Sequence, residues 1–305
     1  MLDLEKIEAA LFREPGRSRI ARDYEIDAQV ATSKDFADAI VTKLAQPVIA
    51  DPLARKNLIP TRVFRAAVWA VGSNSRTWVA FRRQEQLLSQ RLGGYDPENL
   101  SPREITGEEL VRFFPGATGR KDANAVINWL QRLRARDFGE ELIGCAQAIE
   151  NVWTRRFGKK PEPEHLMPPL AVFMSMPQPR SDGFALLTGR SASELKLSGM
   201  GPTLASEFLR NLGWSGFKPD RHVQRLFARW LSSSQMARFD EEVSDVALML
   251  GWPGSKDVSE FLRCSLLGQS LTPAGAPFSL VDNLVWLLGA YVERKNHESN
   301  QSYLQ

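Results

Sequence analysis

The sequence predicts an all-α fold, a helical bundle in two lobes. Three observations predict it. Apolar residues recur at helical spacing, as at Val63, Ala66, Ala67, Ala70 and Val71, which is the i, i+3, i+4, i+7 pattern of an amphipathic helix. Strict apolar–polar alternation, the mark of a half-buried strand, is scarce. Glycine and proline punctuate the periodic stretches, closing one of them at Gly158. The 305 residues, 43% of them apolar and 25% charged, are enough for a buried core of ordinary composition.

In chain order, the opening "MLDLEKIEAALFREPGR" is charged and helical in pattern and does not read as a secretory signal. "TRVFRAAVWAVGSNSRTWVAFRRQEQLLSQRLGG", from Thr61, is helical on both sides of a polar turn. "DANAVINWLQRLRA" and "FGEELIGCAQAIENVWTRRFG" repeat the period. "KKPEPEHLMPPL", Lys159 to Leu170, carries four prolines and reads as a connector. "PPLAVFMSM", "DRHVQRLFARWL", "DEEVSDVALMLGW" and "SLVDNLVWLLGAYVERK" are further helical segments, and "SKDVSEFLRCSLLG" is one more, with Ser255 as its N-cap. "NHESNQSYLQ" reads as a frayed tail. The expected organisation is an N-terminal helical segment (1–60) packing with the C-terminal lobe, a helical domain with a basic stripe and a loop (61–158), a turn-containing region (159–235) and C-terminal helices (236–305).

Two cysteines, Cys145 and Cys264, cannot make a disulfide framework or a four-thiolate metal site. A reducing, intracellular (cytoplasmic) setting follows as the expectation. No apolar run approaches the roughly 18 residues that span a membrane. The net charge is only +3, but its distribution is uneven. Between Pro52 and Leu92 stand Arg55, Lys56, Arg62, Arg65, Arg76, Arg82, Arg83 and Arg91 against the single acid Glu85. Such a stripe suits a polyanion, or is a solvated helix face.

"LSGMGPTLASEFLRNLGWSGFKPDRHV", Leu197 to Val223, holds the most specific pattern. Leu195, Leu197 and Met200 anchor a turn in which Gly199 and Gly201 supply backbone freedom. Pro202 stands in the first turn of the next helix. Leu204, Ala205, Phe208, Leu209 and Leu212 form its apolar face, and Gly213 closes it. Backbone N–H groups at such a helix start favour an anion such as phosphate. A plain αα-corner would use the same residues. Asp220 follows, either as a functional carboxylate or as the N-cap of "RHVQRLFARWL".

This stretch resembles the helix-hairpin-helix signature and catalytic-aspartate loop of the HhH-GPD DNA glycosylases, nearest the 8-oxoguanine and alkyladenine branches that lack an iron–sulfur cluster. The resemblance places Gly199 and Gly201 on the hairpin glycines, Asp220 on the catalytic aspartate and His222 on the histidine of the Asp-x-His pattern. "VGSNSRTW" resembles the segment that carries a duplex-penetrating asparagine, here Asn74, flanked by Ser73 and Arg76. It implies an all-α, two-lobed fold containing a helix-hairpin-helix, a double-stranded DNA partner, a monomer, and excision of a flipped base. DNA contacts are expected at Gly199, Gly201, Thr203, Ser73, Asn74, Arg76, Lys218 and His222. No cofactor is expected, and no metal beyond a monovalent cation at the hairpin backbone beside Gly199 and Gly201.

The chemistry fits these residue types. Cleaving an N-glycosidic bond builds positive charge on the sugar, which a carboxylate stabilises while it orients or deprotonates water. Bifunctional members of the family carry a hairpin lysine where this chain has Thr203, so the resemblance implies hydrolysis without lyase chemistry. Lys218, two residues before Asp220, is the one nearby amine, or else a surface or phosphate-contacting lysine. Asn74 either fills the gap left by a flipped nucleotide or is an ordinary turn residue. Trp69, Trp78 and Trp286 are stacking candidates or core aromatics. Two other classes remain open: a non-catalytic helix-hairpin-helix DNA-binding protein, and an α-helical interaction scaffold. The target base is not legible, and both base excision repair and defence against modified phage DNA fit.

Overall fold

The computed structural model describes residues 1–27, 29–44, 48–74, 78–101, 105–175, 196–294 and 303–304. Among these the fold is all-α, with no β-strand beyond one isolated antiparallel bridge, Leu2 to Leu304. In chain order the helices are α1 (Leu4–Leu11), α2 (Gly16–Tyr24), α3 (Ser33–Leu44), α4 (Pro60–Gly72), α5 (Trp78–Arg91), α6 (Gly107–Val111), α7 (Gly119–Ala135), α8 (Phe138–Phe157), α9 (Pro163–Ser175), α10 (Pro202–Asn211), α11 (Arg221–Trp230), α12 (Ser233–Ala237), α13 (Asp240–Met249), α14 (Lys256–Leu271) and α15 (Phe278–Leu287). A π-helical turn, Leu288–Val292, continues α15. No helix among the described residues is long and apolar enough to cross a membrane.

The chain forms two compact units. One comprises Pro47–Trp214 with Val246–Val258; the other comprises Met1–Gln46, Ser215–Asp245 and Ser259–Gln305. In the first, α10 packs on α4 and α9, and α4 packs on α7. Trp129 of α7, Phe138 of α8 and Phe208 of α10 meet as a buried triad, with ring centres 5.0 Å apart for Trp129–Phe138 and 5.8 Å for Trp129–Phe208. Burying each such ring stabilises the unit by about 1.5–3 kcal/mol. In the second unit α1 lies against α3 and α15, and α11 lies against α15 and its π-helical turn.

Local signals set several ends. Asp137 caps α8 by accepting from the Glu140 N–H, and the helix stops at Gly158 as its sequence predicts. Thr106 and Glu109 form a reciprocal capping box on α6.

Two expectations are corrected. Lys159–Leu170 is not a connector throughout, since α9 begins at Pro163 and continues through Pro168 and Pro169 to Ser175. Every residue from Leu166 to Ser175 is buried, and that burial outweighs the backbone hydrogen bonds the two prolines remove. Most of the expected frayed tail lies outside the described residues, but Tyr303 and Leu304 within it are held in place. The Tyr303 carbonyl accepts from Asp3 N–H, and its buried ring lies 5.3 Å from Trp230.

Candidate functional site

The glycine turn lies in the Pro47–Trp214 unit. Leu195 and the helix expected before the turn fall outside the described residues. The described chain resumes at Lys196. The Lys196 carbonyl accepts from Arg132, Leu197 N–H donates to Met174 O, and Met200 N–H closes the turn on Leu197 O at 3.1 Å. Leu197 and Met200 are buried anchors, while Ser198, Gly199 and Gly201 are exposed. Pro202 opens α10, Thr203 follows half-buried, and no side chain caps the first turn.

The two glycines differ. Gly199 has φ +78°, and a Cβ there would sit 2.9 Å from the Ala125 Cβ, so the fold itself demands glycine. Gly201 has φ −92°, which any residue adopts, and a Cβ there would meet nothing within 4 Å. Backbone freedom is therefore not what Gly201 supplies, contrary to the sequence expectation. Its missing side chain keeps the approach to the α10 N-terminus open.

The turn after α4 is in the same unit. Ser73 is the α4 C-cap and donates its hydroxyl to Ala70 O. The Asn74 amide donates to Asp122 Oδ1 at 3.0 Å. Asp122 is buried on α7, and its other oxygen accepts from Thr118. Asn74 is thus bonded to α7, and entry into a duplex would require release of that bond. Arg76 falls outside the described residues.

Asp220 lies in the other unit, at the α11 N-cap. Oδ1 accepts from His222 N–H at 2.7 Å and Val223 N–H at 3.1 Å. Oδ2 accepts from the Trp286 indole N–H at 2.8 Å. A carboxylate has about four acceptor positions. The protein fills three, fixing the group's orientation, and one position on half-buried Asp220 stays open for a water or substrate proton. Lys218 is placed by its backbone N–H, which donates to buried Asp282.

Trp286 is the residue whose role the sequence did not disclose. Beside the core or base-stacking roles its sequence offers, its indole N–H donates to Asp220 and fixes the orientation of the carboxylate. The two lie 66 positions apart, and no local pattern links them. The Trp286 ring also meets His222 and Tyr291 edge-on, at 6.3 and 6.2 Å.

Burial pushes the His222 imidazole below its ordinary value; Arg225 and Arg221 act in the same direction, and the Asp220 carboxylate opposes them. Arg225 lies 3.4 Å from His222 Nδ1 and donates to the carbonyls of Gly289 and Glu293. A histidine with a lowered native value makes the unfolded state the better proton binder between the two values. Stability is then full above the unfolded value, about 6.5, and falls as pH drops through the lowered native one. Denaturant melts of wild type and His222→Gln between pH 7.5 and 5 should show wild type losing stability more steeply below about pH 6.5. Parallel curves would show that His222 carries no such linkage.

Among the described residues no group of His, Cys, Asp and Glu is placed to hold a metal ion. Cys145 and Cys264 are buried free thiols, and burial pushes Cys264 up to about 12. Compared with known proteins, the chain matches no family model, no curated protein and no solved structure.

Proposed function

We propose that the protein is a monofunctional DNA glycosylase, acting as an intracellular monomer on duplex DNA. It would bind a flipped damaged or modified base and hydrolyse its N-glycosidic bond, in base excision repair or in defence against modified phage DNA. The observation that carries the reading is Asp220, a carboxylate fixed by three donors with one acceptor position left. The bond from C1′ to the base nitrogen breaks, and its electron pair leaves with the base. Asp220 stabilises the cationic sugar and takes a proton from the incoming water, whose oxygen bonds to C1′. The departing base takes a proton from water, Asp220 releases the proton it accepted back to solvent, and the sugar ends as an abasic site.

Supporting the reading, the start of α10 beside exposed Gly201 is suited to a backbone phosphate. Thr203 has a hydroxyl, which forms no Schiff base. With a duplex carrying an excisable base, the product should be an abasic site that breaks only after alkali. Borohydride should trap no protein–DNA adduct. An adduct that disappears in Lys218→Ala would overturn the hydrolytic reading and place the nucleophile at Lys218.

Trp286→Phe tests the orientation of the carboxylate. Phe keeps a ring but loses the indole N–H. A hydrogen bond to a charged group contributes about 1.5–3 kcal/mol. Single-turnover excision should therefore fall roughly 10- to 100-fold, with duplex affinity unchanged. Unchanged excision would remove Trp286 from the machinery.

One observation favours a second reading, a non-catalytic helix-hairpin-helix DNA-binding protein. Asp220 caps α11, a structural role complete without chemistry. That reading expects duplex binding and no release of any base.

A further inference from the structure

The basic stripe divides by what its members touch. Arg55 pairs with Glu140, Arg91 pairs with Glu109, and Arg62 donates to Asn57. Arg65 and Arg82 do something else: both guanidiniums lie on Trp69, at 4.1 and 4.5 Å from its ring centre. Arg82 also stands 4.0 Å from Glu85, the longest of these ion pairs. Both arginines are exposed. Trp69 is tied to the core, since Trp78 meets it edge-on at 5.6 Å and packs at 5.5 Å on buried Phe81, which in turn stacks on Phe114. The result is an aromatic platform tied to the core with two cations on it.

We infer that this Arg65–Trp69–Arg82 platform is a binding site for the phosphodiester backbone of duplex DNA. The inference rests on the DNA reading above and names the surface that the duplex would follow. A guanidinium in contact with an aromatic face keeps N–H groups for phosphate oxygens, and stacking reduces the side-chain freedom that binding must remove. Arg65, Trp69 and Ser73 stand four residues apart, so they share one stripe of α4 that ends at the Ser73–Asn74 turn. A backbone bound at the platform would run toward that turn. The Trp69 ring is already covered by guanidiniums, which disfavours insertion into a lipid surface.

The test is a salt titration of the full chain with a fluorescent, undamaged duplex, read by anisotropy. Each phosphate contact adds about 0.9 to the slope of log K against log salt. Arg65→Gln/Arg82→Gln should lower that slope by about 1.8 and weaken binding at least tenfold at low salt. Trp69→Leu should keep the slope but weaken binding about 2- to 10-fold, because the charges remain and their preorganisation is lost. Circular dichroism melts check that variant's folding, and the double arginine variant, at exposed positions, decides the matter on its own. An unchanged slope in the double variant overturns the inference, as does a wild-type chain that binds no duplex. So does loss of binding to phosphatidylserine vesicles in the double variant with DNA binding intact. A lowered slope without release of any base would leave the surface standing and remove the enzyme. Release of base with an unchanged slope would do the reverse.

Discussion

Asp220→Asn should reduce single-turnover base excision by about 10³- to 10⁴-fold while duplex affinity holds or rises. The amide keeps an oxygen for the His222 and Val223 N–H groups, so the α11 cap survives. Its nitrogen then faces the Trp286 N–H, donor against donor, and that bond is lost. The stability cost should be about 1 kcal/mol. What disappears is the negative charge that stabilises the sugar cation and accepts the proton of water. One negative charge that would repel phosphate goes with it. Excision within tenfold of wild type would show that Asp220 is only a helix cap.

The two turn glycines should separate binding from folding. Gly201→Val enters open space at an unstrained φ, so the protein should lose no more than about 1 kcal/mol of stability. The valine occupies the approach to the α10 N-terminus, so affinity should fall about 10- to 100-fold for every duplex alike. Gly199→Val instead meets Ala125 and a positive φ, and should lose stability by about 1–3 kcal/mol whether or not DNA is bound. Equal thermal losses in the two variants, with DNA affinity intact in Gly201→Val, would show that the turn is a helical corner and nothing more.

Much of the fold was legible because its signals are local. The apolar period of α4, the Gly158 stop of α8 and the Pro202 start of α10 each act within a turn or two of helix. What sequence reading missed depends on burial or on distant partners. The prolines of α9 argue against a helix, yet ten consecutive residues of that helix are buried. Tyr303 looks like part of a polar tail until Asp3 and Trp230 are placed beside it. The same division holds at the site. Asp220 was identifiable from the motif before it, and its capping role from the helix after it. Its third donor, Trp286, comes from α15, and the bond from Asn74 to Asp122 joins residues 48 positions apart. Arg65, Trp69 and Arg82 were each visible as types; their stacking required α4 and α5 to be folded together.

The central claim is hydrolysis of a base from DNA, and mass-spectrometric detection of free base tests it most directly. The full chain is incubated with a panel of duplexes, each with one oxidised, alkylated or phage-type modified base, alongside Asp220→Asn. The expected result is a free base from at least one duplex, matched by an equal amount of abasic site and lost in the Asp220→Asn variant. No free base from any duplex, with binding to DNA retained, would contradict the enzymatic account and leave a DNA-binding protein in its place.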